Sequence, residues 1–228
     1  YLPEKQVVER LLANEIQTAI ICRDLYPDES DYIAGSFDHT ARTFKLGDDD
    51  IIAVVNRANP ISDLSLETLE RIFSGAISDW GQLSVSIEDR SPILIILTGS
   101  SSIDRYFSTS APLSPASTYA LETTAEVIGY VKNNSSAVGI VGGSWLQQKG
   151  KKNNDVRILT LSTGSAENGN GQKGPSREVY AVTHQPNTGL GSGFISFLAG
   201  EKGQLILSKA GMTPYRPIER TVEITDSF

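Results

Sequence analysis

Four short runs of consecutive apolar residues punctuate the chain: AIIC at 19–22, IIAVV at 51–55, ILIIL at 93–97 and AVGIV at 137–141. None alternates with polar residues, as a strand with one wet face does, and none is long enough to cross a membrane. Each therefore predicts a short strand covered on both faces. Helical spacings fill the intervals between them. Strands alternating with helices in this way define an α/β fold with largely parallel or mixed sheets.

Val7, Val8, Leu11 and Leu12 share one face of a helix expected over 4–14. In ISDLSLETLERIFSG, Leu66, Leu69, Ile72 and Phe73 form another apolar face, with Ser65 as N-cap, Thr68 at the third position and Gly75 as the closing glycine. Residues 28–34 start a helix, 123–134 form one, and 189–200 and 201–210 form two short ones. Further strands are expected near 156–162 and 176–184, and a Gly-rich loop over 163–175. The stretch 38–45 alternates only loosely. Asp48, Asp49 and Asp50 lack the spacing of a calcium loop and read as a solvated turn ahead of a strand at 51–56.

The strand at 92–97 ends abruptly in Thr98, Gly99, Ser100, Ser101 and Ser102, and a helix is expected over 101–109. In open α/β sheets ligands collect at the carboxyl ends of strands. Backbone N–H groups at a helix start lack internal partners and attract anions, and serine hydroxyls add donors. A tetrahedral oxyanion suits such a turn. Serines ahead of a helix are also ordinary N-caps, and the residues alone leave both readings open. No P-loop lysine is present, which argues against a nucleotide triphosphatase. Arg105, one turn into that helix, either reaches the ligand or sits on a solvated face. Arg23 follows the AIIC strand directly, where a guanidinium offers bidentate donors to an oxyanion. Asp24 beside it pairs with Arg23, caps the next turn or accepts a proton from a monoprotonated anion.

Several longer stretches carry a resemblance. NPISDLSLETLERIFSGAISDWGQL (59–83), TGSSS (98–102), KNNSSAVGIVGGSWL (132–146), SREVYAVTHQPNTGLGSGFISFLAGEKGQLILSKAGMTP (176–214) and CRDL (22–25) run in the order seen in the substrate-binding proteins of bacterial phosphate ABC transporters, which the chain resembles over most of its length. The resemblance implies a type II periplasmic-binding-protein fold: two α/β lobes with mixed sheets and a ligand cleft between them. Lobe 1 would hold 1–55 and 176–228, and lobe 2 would hold 56–175. It also implies an extracytoplasmic protein that binds phosphate through Thr98, Gly99, Ser100, Ser101, Ser102, Arg23, Asp24 and Arg105, without catalysis, cofactor or metal. The protein would hand the ion to a membrane permease by lobe closure.

The departures from the family pattern bear on the site. Ile96 and Thr98 stand where the family carries an Arg and an Asp before its Gly-Ser-Gly-Thr turn. Ser101 replaces the second glycine, and Cys22 replaces a frequent serine. Arg23 or Arg105 is then the expected source of positive charge. By the same resemblance the family's N-terminal strand and first helix are missing here. A monomer is expected, with an open sheet edge favouring association. Periplasmic residence is implied, with lipid anchoring through an upstream segment as one form of it. The alternatives are another oxyanion, such as sulfate, molybdate or tungstate, or an interaction protein that keeps the fold without a ligand.

Composition narrows the rest. A formal net charge of −7 argues against nucleic acid or an anionic membrane as partner. Cys22 is the only cysteine, reading as a buried structural thiol, and His39 and His184 each lack a second metal ligand at useful spacing. A serine hydrolase would need a serine at a strand-to-helix elbow beside a histidine base, and GLGSGF places Ser192 elsewhere. Trp80 and Trp145 read as packing residues. Arg177 opens a strand near the hinge and faces either the cleft or the surface, with the surface preferred.

Overall fold

The protein is described from a computed structural model over residues 2–37, 40–83, 91–98, 103, 107, 117–146, 156–162, 174–184 and 189–216. The expected α/β alternation is present. Helix α1 (Glu4–Leu12), strand β1 (Thr18–Ile21) and helix α2 (Pro27–Phe37) open the chain. Strand β2 (Arg42–Asn56) follows, then β3 (Asp63–Ser65), α3 (Leu66–Phe73), β4 (Leu94–Thr98) and β5 (Thr118–Leu121). The remainder is α4 (Thr124–Asn133), β6 (Ala137–Gly142), the one-turn α5 (Gly143–Leu146), β7 (Val156–Ser162), β8 (Ser176–Thr183), α6 (Leu190–Ala199), α7 (Glu201–Lys209) and the two-residue β9 (Thr213–Pro214).

Local chemistry sets the helix ends. The Ser65 hydroxyl accepts from the Thr68 N–H at 3.0 Å, and Gly75 leaves the helix with φ 78°, a left-handed conformation that suits glycine. At α4 the Thr123 side chain accepts from Glu126 N–H while Glu126 accepts from Thr123 N–H, a reciprocal capping box.

Strand β2 departs from the sequence reading. The aspartates at 48–50 form no turn: β2 runs straight through them for 15 residues. The cause is long-range pairing. Residues 42–50 lie antiparallel to β8, and residues 51–56 lie antiparallel to β6 on one side and β7 on the other. The β8 ladder along the three acids, continued by the β6 and β7 ladders beyond them, outweighs their poor strand preference. Gly47 is needed where β9 crosses, because the Thr213 carbonyl leaves no room for a Cβ.

Strand β2 is thus shared by two halves. Its first part, with β1 and β8, is covered on one face by α1 and α2 through Val8, Leu11, Ile21, Ile33 and Val182. On the other face it meets α6 and α7 through Leu46, Ala181, Ile195, Leu198 and Leu207. Its second part joins β6, β4 and β5, with β4 parallel to both of its neighbours. There Ile51, Ala53 and Val55 pack with Leu69, Ile72 and Phe73 of α3, while Val54 and Ile96 pack with Val127 and Val131 of α4. Both faces of the sheet are covered at β2, β4 and β6, which is why those runs are continuously apolar, whereas in the AIIC run Ile20 is left 45 % exposed. Trp80 packs in this second half as expected, 1 % exposed, its indole N–H donating to Ser136 O. Strand β5 was not anticipated. It lies at the sheet edge with two of its four residues exposed, so it carries little apolar signal. Of the helix expected over 101–109, Ile103 and Phe107 are described, and both are helical and fully buried. Among the described residues no helix is long and apolar enough to cross a membrane.

Candidate functional site

The ends of several elements from both halves converge on a cavity of about 610 Å³. From the second half come Thr98 at the carboxyl end of β4, the start of α4 at Thr123, Thr124 and Ala125, and Ser144 and Trp145 after β6. From the first half come Glu4, Cys22, Arg177 and Val179, with Asp49 on the shared strand. Leu2, Val7, Ile20 and Met212 give one side of it an apolar wall.

Asp49 and Arg177 face each other directly across the β2–β8 ladder. Asp49 is in phase with Ile51, Ala53 and Val55, so the period-two alternation that buries those residues buries its carboxylate too. Its side chain is 1 % exposed, against 16 % for Arg177. The Arg177 Nε and Nη2 both donate to Asp49 Oδ2, at 3.1 and 2.8 Å. The Ser144 N–H donates to the other oxygen, Oδ1, at 2.8 Å. One carboxylate therefore ties β2, β8 and the segment after β6 together. Gly142 lies flush against this pair, and a Cβ there would collide with both Arg177 Nη2 and Asp49 Oδ2. The preferred surface reading of Arg177 is corrected: the pairing register turns it inward onto a buried acid. The solvated reading of Asp49 is corrected for the same reason.

The sequence-derived candidates separate into three groups. Thr98 lines the cavity and is 7 % exposed. Gly99, Ser100, Ser101, Ser102 and Arg105 lie outside the described residues. Arg23 and Asp24 are engaged in local structure. The Arg23 Nε donates to Glu4 Oε1 at 3.0 Å, and Nη1 and Nη2 donate to the two oxygens of Glu29 at 2.8 Å each. Nη1 also donates to Asp24 O at 2.9 Å, and the guanidinium lies 3.8 Å above the Tyr26 ring. The fork expected to hold an anion already holds two carboxylates, and Arg23 is not among the residues lining the cavity. Asp24 Oδ1 accepts from Leu25 N–H at 2.8 Å, a local turn contact.

Cys22 does line the cavity, half-buried as a residue. Burial pushes its thiol up to about 11; Arg177 pulls the other way, and Glu4 and Asp49 add to the rise. At neutral pH it is a protonated, weakly reactive group. A thiol at about 11 instead of 9.0 carries about one-hundredth of the thiolate. Alkylation by iodoacetamide at pH 7.5 is accordingly expected to run about 100-fold slower than for free cysteine, as followed by mass spectrometry. His184 stacks on Phe37 with ring centroids 4.5 Å apart, and the Ser192 hydroxyl accepts from Arg42.

A covered mixed sheet in two halves, sharing one long strand and enclosing a polar-ended cavity between them, defines a two-lobed binding-protein architecture. The chain belongs to the family described as the PBP superfamily domain, whose model matches residues 2–202. Solved structures share the periplasmic-binding-protein fold. A protein of Clostridium perfringens, described as a phosphate ABC transporter substrate-binding protein and solved with bound phosphate, is 20 % identical with a TM-score of 0.75, over 94 % of this chain and 86 % of that one. A phosphate-binding protein of Stenotrophomonas maltophilia is 14 % identical with a TM-score of 0.73, over 93 % and 82 %. An ABC-type phosphate transport receptor of Vibrio cholerae is 21 % identical with a TM-score of 0.58, over 92 % and 85 %. No curated protein sequence matches the chain.

Proposed function

We propose that this protein is the extracytoplasmic solute-binding component of a phosphate ABC transporter and that it holds the ion in the cavity between its halves. The observation that carries the reading is the convergence there of strand and helix ends from both halves: Thr98, the first turn of α4, and Arg177. A helix start and a guanidinium both favour an oxyanion, and neither calls for catalysis. The likeness to phosphate-binding transport proteins supports phosphate over other oxyanions. In this reading residues 1–55 with 176–228 are one lobe and 56–175 the other, with β2 and β8 near the hinge. The serines at 100–102 supply hydroxyl donors, and lobe closure presents the loaded protein to a membrane permease.

Thermal-shift titration with phosphate, arsenate, sulfate, molybdate and tungstate tests this. A ligand that binds only the folded state stabilises it by about 2.7 kcal/mol at a hundredfold excess over Kd. A phosphate-selective rise that is lost in the Ser100→Ala/Ser102→Ala double variant is expected. A flat response to all five ions overturns the reading and leaves a binding-protein fold used for contacts with other proteins.

A further inference from the structure

An anion site needs positive charge, and the cavity has little. Among its described lining residues Arg177 is the single cation, against Glu4, Asp49 and Glu122. Glu4 accepts from Arg23 and from the Cys22 N–H, and its charge also acts on Arg177. Arg23, whose charge the sequence offered to the ligand, is turned away and bound to Glu4 and Glu29. Arg177 lines the cavity, where two of its nitrogens converge on a single oxygen of Asp49. The second oxygen of that carboxylate accepts from the Ser144 N–H, which holds Asp49 to the segment after β6. The bare backbone of Gly142 leaves the pair its space.

We propose that Arg177 is the ligand-binding cation of this protein and that Asp49 is its resident counter-ion, an internal carboxylate that competes with the incoming oxyanion and sets its affinity. The proposal rests on the oxyanion reading above and adds to it the residue that carries the charge and the residue that restrains it. Asp49 prevents an empty cavity from burying an unpaired guanidinium. It also lowers the positive potential that phosphate meets, so removing its charge strengthens binding. Coupling between two binding events on one protein is typically worth roughly 5–150-fold in affinity, and the effect of Asp49 on phosphate falls on that scale.

The test is calorimetric titration of the full chain with inorganic phosphate, repeated through Trp145 fluorescence, since Trp145 lines the cavity. The variants are Asp49→Asn, Arg177→Gln and the double variant. Asp49→Asn is expected to bind phosphate about tenfold more tightly than wild type. Arg177→Gln alone strands the Asp49 carboxylate and is at risk of failing to fold, so the double variant, which strands no charge, is the comparison that decides. It is expected to bind about 100-fold more weakly than Asp49→Asn. A double variant that binds phosphate as tightly as Asp49→Asn removes Arg177 from the site, and an Asp49→Asn variant with unchanged affinity removes Asp49 as counter-ion. Either result overturns the proposal while phosphate binding itself stands. Absence of phosphate binding in wild type and in Asp49→Asn alike overturns the oxyanion reading, and this proposal with it.

Discussion

Replacing Arg23 with methionine lowers the stability of the fold by about 3–5 kcal/mol, the usual consequence of removing one partner from a buried ion pair. The Arg23, Glu4 and Glu29 side chains are only 8, 7 and 14 % exposed. Methionine fills much of the arginine's volume, so the loss is electrostatic: two carboxylates remain in a site that water barely reaches. These carboxylates come from the first turns of α1 and α2, with the arginine at the end of β1, so the cluster locks two helices onto a strand end. At roughly 2–4 °C per kcal/mol for a chain of this size, the midpoint of thermal unfolding falls by at least 6 °C. Adding Glu4→Gln and Glu29→Gln restores part of the loss by removing the stranded charges. A drop of less than 2 °C in the single variant would show that water reaches the cluster freely.

Phe73→Ala is expected to cost about 3–5 kcal/mol, for a different reason. Phe73 is fully buried and stacks on the fully buried Phe107, with ring centroids 4.3 Å apart. Truncation leaves a cavity and removes the stack, which contributes beyond its buried area. Phe107 lies five positions after Ser102, so this contact anchors the chain just beyond the serine turn to α3. A chemical-denaturation midpoint measures the stability loss. In the same variant phosphate affinity is expected to fall even at temperatures where the protein stays folded.

The fold was more legible than the site, and the particulars show why. Runs such as IIAVV and AVGIV report burial on both faces, a local property that composition carries. The Ser65 cap and the Gly75 exit are read within a few residues of themselves. Asp49 is different: its meaning depends on Arg177, 128 positions away, which stands opposite it only because β2 pairs with β8. The alternation through Asp49, Ile51, Ala53 and Val55 was the available clue, and three consecutive acids masked it. Arg23 misled for the converse reason. Its place at a strand end was read correctly, but Glu4 and Glu29, which fill its fork, sit on two helices whose packing a linear reading does not give. Thr98 lines the cavity at the end of β4, and strand termini in this class of fold are ligand positions irrespective of side-chain partners.

The shared strand also bears on the order in which the protein is made. Among the described residues, both strands that pair with residues 52–56 have been synthesised once the chain reaches residue 162, whereas residues 42–50 and β1 wait for residues 176–183. A nascent chain growing from its amino end can therefore complete the second half first. It carries the helices α1 and α2 and strand β1 as an unfinished layer, its apolar faces uncovered, until β8 emerges. A stalled or clipped chain ending near residue 170 would present those faces to chaperones and proteases, which makes the late-made β8 strand a checkpoint in the birth of this protein.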